Sequence, residues 1–101
     1  MYSQSLSTYD TKFKNLGITK VECAHLKVTA AAGHSGTTTF TFSSQFKQKP
    51  FVFVTIEHRW ADTLQCTVES CSVSEVAIRL YNGSSQNLND VPVNMIAVEY
   101  I

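Results

Sequence analysis

The chain has 101 residues, 44% of them hydrophobic and only 16% charged, with eight basic and eight acidic side chains. That length suits one domain with one modest core, and a net charge of zero excludes a broad electrostatic footprint for nucleic acid. Low charge leaves much of the surface neutral or apolar, which points to self-association.

Residues 1–18 are rich in Ser and Thr, yet Tyr2, Leu6, Tyr9, Phe13 and Leu16 fall at spacings of four, three, four and three. That is the spacing of a heptad seam, over too few turns to separate a bundled stalk from an extended arm. Gly17 is placed to end a short helix. Residues 21–29 read as a strand with Val21, Cys23, His25 and Lys27 on one face and Glu22, Ala24, Leu26 and Val28 on the other. A loop through Gly33 and Gly36 follows. Residues 37–42 alternate Thr38, Phe40 and Phe42 against Thr37, Thr39 and Thr41. A polar stretch ending at Pro50 bounds the next strand, residues 51–58, the strongest strand signal before the tail. After a loop holding Arg59, Trp60 and Asp62, residues 64–73 alternate again. Regular alternation sets Cys66 and Cys71, five apart, on opposite faces.

The tail carries the clearest pattern. Val76, Ile78 and Leu80 form one apolar row, and residues 93–101 are almost wholly apolar, the pattern of a strand buried on both faces. Asn82-Gly83-Ser84-Ser85-Gln86-Asn87 separates the two runs with turn residues. The expectation is a long-looped pairing of these two strands, the last one central and covered by a second sheet or a neighbouring chain. Six strands with short connections and no helix in the body predict an all-β, antiparallel β-sandwich over residues 19–101.

Phe40-Thr41-Phe42-Ser43-Ser44-Gln45-Phe46, then Lys49-Pro50 and Phe51-Val52-Phe53-Val54, resembles the F-x-F-x-x-x-F-x-x-x-P approach to an apolar strand in H-type lectin domains and the related C-terminal domains of bacteriophage tail-fibre and baseplate proteins. Ser72-Val73-Ser74, residues 76–82 and residues 93–98 continue the pattern in order, so the resemblance covers about residues 20–101. It implies a six-stranded antiparallel sandwich, a tight homotrimer, and glycan binding rather than catalysis. Four positions depart from the animal lectins. Glu69 stands where they carry an Arg for N-acetylgalactosamine, Gly83 and Ser84 where they carry aromatics, and Met95 where the final strand commonly has Trp. The absence of a leader pattern in Met1-Tyr2-Ser3-Gln4-Ser5 and of a disulfide framework in Cys23, Cys66 and Cys71 favours the phage branch. The seam in residues 2–16 would then end a fibrous stalk. Folding in a reducing bacterial cytosol and action on a virion tail are the expected setting.

Sugar recognition needs a flat apolar face for the ring C–H groups and planar polar groups for the hydroxyls. Trp60 supplies the one indole, beside Arg59 and Asp62. Asn82, Ser84, Ser85, Gln86, Asn87 and Asn89 are dense in amides and hydroxyls. The candidate carbohydrate set is therefore Arg59, Trp60, Asp62, Asn82, Ser84, Gln86 and Asn87, with Glu69 added by the resemblance. Each feature also has a structural explanation, Trp60 as a cap or interface residue and the 82–89 stretch as a turn. No paired C-x-x-C spacing supports a metal, no oxyanion hole or nucleophile elbow accompanies a Cys–His pair, and no spacing selects two of Glu57, Glu69, Glu75 and Glu99 for glycoside hydrolysis. A non-enzyme without cofactor is expected, with three kinds of partner: copies of itself, a bacterial surface polysaccharide, and a neighbouring tail or baseplate protein. No nucleic acid or membrane partner is expected, since no run approaches ~18 apolar residues. Two other roles remain open, a purely structural trimerising or docking module and a secreted-type lectin.

Overall fold

Alternating apolar residues turn one row of each strand inward, and the computed structural model, which describes residues 17–100, shows where those rows meet. The strands are β1 (Ile18–Ala30), β2 (Ser35–Thr41), β3 (Phe51–Ile56), β4 (Leu64–Cys71), β5 (Glu75–Asn82) and β6 (Leu88–Tyr100). The only helical element among the described residues is one 3-10 turn, Ala61–Thr63. The fold is all-β, with two three-stranded antiparallel sheets ordered β1-β6-β3 and β2-β5-β4. Residues 1–16, with the predicted seam of Tyr2, Leu6, Tyr9, Phe13 and Leu16, lie outside the described residues.

Val76, Ile78 and Leu80 of β5 are fully buried and share one core with Val28 of β1 and Val91, Val93, Met95 and Ala97 of β6. The predicted phase of β1 holds, with Val21, Cys23, His25 and Lys27 facing out. The predicted pairing of the last two strands does not. After Asn82 the chain leaves one sheet and enters the other at Leu88, so β5 and β6 are the middle strands of opposite sheets. The physical reason is that a middle strand has both edges hydrogen-bonded and one row aimed at the other sheet. Putting the two most apolar runs in different sheets sets their core rows face to face.

Nor is β6 buried on both faces within the chain. Its outer row leaves Ile96 and Tyr100 exposed, and only Val98 is covered. The two cysteines of β4 also depart from expectation. A bulge at Glu69, between Val68 and Ser70, adds one residue and reverses the alternation, so Cys66 opposite Leu80 and Cys71 opposite Val76 both pack against the core.

The aromatic motif before β3 has a packing role. Phe40, Phe42 and Phe46 meet edge to face, with ring centroids 5.9 and 4.7 Å apart. Backbone bonds from Phe42 to Ser74 O and from Phe46 to Val73 O tie this end to the β4–β5 turn. At the corner where β1 gives way to β2, a Cβ on Gly36 would run into the Thr29 carbonyl oxygen, so only glycine permits the crossing.

Candidate functional site

The connection 57–63 is wound tightly by its own backbone. Ala61 N donates to His58 O at 3.1 Å, Thr63 N to Trp60 O at 2.9 Å, and the Thr63 hydroxyl to the same oxygen at 2.8 Å. The Trp60 N–H donates to His58 Nδ1 at 3.1 Å, and the two rings lie 5.7 Å apart. One part of the indole packs against the core. The Arg59 guanidinium lies over the ring, 5.2 Å from its centroid, a cation–π contact that holds ring and charge together. Asp62 is exposed on the 3-10 turn.

The connection 83–87 is built around Asn82, which is 0% exposed. Its amide nitrogen donates to Ala30 O at 3.0 Å and Gln86 O at 2.7 Å. Its Oδ1 accepts from the Ser84 N–H at 2.9 Å and the Ser84 hydroxyl at 2.6 Å. A buried amide must be satisfied in this way, and here it fixes the loop from within. Asn87 Oδ1 accepts from Ala32 N at 2.9 Å, which joins a third loop to the same end.

The two connections meet through one long-range bond, Gly83 N to Thr63 O at 2.9 Å. A Cβ on Gly83 would come within 2.9 Å of that oxygen, so the approach requires glycine. Beside the bond opens a cleft of about 440 Å3 lined by Trp60, Thr63, Gly83, Ser84, Ser85 and Gln86. Of the predicted carbohydrate set, Trp60, Ser84 and Gln86 line it together, and Arg59 and Asp62 flank it on the same loop. Asn82 forms its buried support, with both amide atoms bonded, and Asn87, whose Oδ1 serves the neighbouring loop, does not line the cleft. Glu69 sits near the far end of β4, paired with Arg79, away from the cleft. Sequence reading missed Thr63, whose only signal was its place after Trp60, and left Gly83 as an ordinary turn residue.

Other chemistry is dispersed. On the outer face of β1-β6-β3 a shallow depression of about 310 Å3 holds Cys23, His25, Phe53 and Asn94. There His25 Nδ1 and Asn94 Oδ1 are 2.6 Å apart, and the Asn94 amide donates to Glu57 Oε1 at 3.0 Å. Burial pushes the Cys66 and Cys71 thiols up, with Lys49 partly opposing this at Cys71, which lowers their share of reactive thiolate. Glu99 is buried at the opposite end from the cleft. A hydrogen bond from the Thr19 hydroxyl, 2.6 Å, and one from the Gln48 N–H, 2.8 Å, hold its carboxyl below the usual range. Among the described residues no group of three or more His, Cys, Asp and Glu is placed to hold a metal.

No family model matches the chain, and no curated protein matches it in sequence.

Proposed function

We propose that this chain is the H-type-lectin-like head of a phage or prophage tail-fibre or baseplate protein, a six-stranded β-sandwich that assembles as a homotrimer and attaches to a bacterial surface glycan. The observation that carries the reading is the meeting of Trp60 with Ser84, Ser85 and Gln86 in one open cleft. An indole face can stack on the C–H side of a sugar ring while side-chain hydroxyls and the Gln86 amide bond its hydroxyls. Arg59, steadied over the ring, and Asp62 add charged hydrogen-bonding groups at the rim. The cleft is shallow, so a single site binds weakly. Three sites on one head, and several heads on a virion, convert weak contacts into firm adhesion through effective concentration.

The test is Trp60→Ala in the full chain, applied to an array of bacterial cell-wall polysaccharides. Binding is expected to fall at least about tenfold, equivalent to ~1.4 kcal/mol, with the assembly mass unchanged. Equal binding by wild type and variant would remove the cleft from the mechanism. A second reading, a purely structural module that trimerises the fibre or docks a neighbouring protein, draws support from Asn82, whose amide serves only the chain's own backbone and Ser84. Silence on every polysaccharide by an intact trimer would favour it.

A further inference from the structure

We infer that copies of this chain associate through the outer face of the β1-β6-β3 sheet, continued round the β3 edge, as a closed head-to-tail ring. This rests on the trimeric reading above and assigns the surface that such an assembly uses. The strand registers set Val21, Val98 and Phe51 in one outer row and Cys23, Ile96 and Phe53 in the next. Phe51 and Phe53 are 60% and 59% exposed, and Ile96 is 37% exposed. Tyr100 extends the patch, its ring edge-on to Phe51 with centroids 5.8 Å apart.

No charged side chain interrupts these two rows. The following row, His25, Asn94 and Thr55, is polar, with His25 and Asn94 bonded to each other and Asn94 to Glu57, and Lys27 and Glu57 come only beyond it. An apolar centre with a satisfied polar margin is the anatomy of a protein interface. Its uncharged centre presents no charge to repel a second copy of the chain.

The patch spans three strands and about six residues, roughly 300 Å2 in projection at ~4.8 Å per strand and ~3.3 Å per residue. A stable pair needs about 800 Å2 from each partner, so one flat face against another falls short. The apolar surface does not stop at that face, however. It turns the β3 edge at Phe51 into a cleft of about 530 Å3 between β3 and β4, where Pro50, Val52, Val68 and Cys71 give an apolar wall and Lys49 and Glu69, the latter paired with Arg79, add charge. Each subunit thus carries two different surfaces, an uncharged apolar face and a mainly apolar cleft at its β3 edge. Contact between unlike patches repeats round an axis, and where the rotation closes, as the trimeric reading requires, it gives a ring in which every copy meets two neighbours.

The test uses the full chain, with mass from size-exclusion light scattering at micromolar concentration and maleimide labelling localised by peptide mass. Cys23 is the reporter, since it is exposed in the single chain and stands in the second apolar row, on the edge strand β1 beside Ile96. Wild type is expected to be a trimer in which Cys23 labels at least about tenfold more slowly than in unfolded chain. Phe53→Lys and Val68→Lys, on the face and in the flanking cleft, should yield folded monomers with reactive Cys23. Thr39→Lys, on the outer face of the other sheet, should leave the trimer whole. A trimer with freely reactive Cys23, or one that survives both lysine variants, overturns the inference and leaves the trimeric reading standing. A monomeric wild type overturns both, and Cys23 protected in that monomer would mean that residues 1–16 cover the patch. Labelling of the unaltered chain decides the matter even if the variants fail to fold. Loss of glycan binding in Trp60→Ala bears only on the cleft.

Discussion

The two middle strands, β5 and β6, are built to one plan with different endings. Each aims an unbroken apolar row at the other, Val76, Ile78 and Leu80 from β5 and Val91, Val93, Met95 and Ala97 from β6. Each row then ends C-terminally in a buried polar residue, Asn82 in β5 and Glu99 in β6, the only two such residues among those described. These two residues lie at opposite ends of the core, and each ties down neighbouring chain. Asn82 holds the turn at 84–86 and the end of β1, while Glu99 holds Thr19 and the loop at Gln48. The outer rows diverge. β5 shows Ala77, Arg79 and Tyr81 beside the threonines of β2, and β6 shows Ile96 and Tyr100, with Val98 covered between them, beside Phe51 and Phe53. The lesson is that the core specifies the strands alike, and their endings and outer rows separate a site-forming end, an anchoring end, a solvated face and an apolar one.

The largest effect expected from this comparison is at Asn82. Asn82→Ala strips partners from two carbonyl oxygens, a backbone N–H and the Ser84 hydroxyl, all at the end of a fully buried row. Buried groups left unpaired cost about 1–3 kcal/mol. Urea unfolding should show a loss of that order with the slope unchanged, independent of pH between 3 and 7. Glycan binding should weaken with it, since Ser84 and Gln86 lose their support. A neutral outcome would mean that Asn82 is not what fixes the cleft.

Glu99 occupies the corresponding position in β6 but can be titrated. Its folded carboxyl is held below its ordinary value near 4.5, first by the Thr19 hydroxyl and then by the Gln48 N–H, against an upward push from burial. A group whose folded pKa is depressed contributes stability that is present above the unfolded value and is lost as pH falls through the folded one. Stability should therefore decline from about pH 4.5 downward, and Glu99→Gln should flatten that decline by lowering stability at pH 7 while leaving it close to wild type at pH 3. Urea midpoints at pH 7, 4 and 3 for both chains measure this. An identical acid decline in the variant would move the linkage to other carboxylates.

Much of this arrangement was legible in the chain. The period of two separated the two faces of β1 and picked out the apolar row of β5, because side-chain direction in a strand follows from pleating alone. The sheet to which each row belongs did not follow, since the five residues after Asn82 can close a local pairing or carry the chain between sheets. The bulge at Glu69 carries no glycine or other local mark, so the shared orientation of Cys66 and Cys71 was hidden. Trp60 and the amide-rich turn were each visible as candidates. Their meeting depends on the bond from Gly83 to Thr63, twenty residues apart in sequence, which no local pattern encodes.

The smallest effect belongs to the outer row of β5, where Arg79 pairs with Glu69 beside the bulge. Their side chains are 52% and 36% exposed. Water screens such a pair and side-chain entropy offsets most of the attraction, which leaves about 0–1 kcal/mol. Arg79→Ala should shift the unfolding free energy by less than ~0.5 kcal/mol, the ordinary range for a surface substitution. Even that shift should shrink on going from 0.1 to 0.5 M salt. The measurement is worth making because it tests the solvated face directly. A loss of ~2 kcal/mol or more, insensitive to salt, would mean that Arg79 and Glu69 are removed from water in solution. The β2-β5-β4 face would then also be covered, and the contrast between the two outer rows would be one of interface chemistry rather than of interface against solvent.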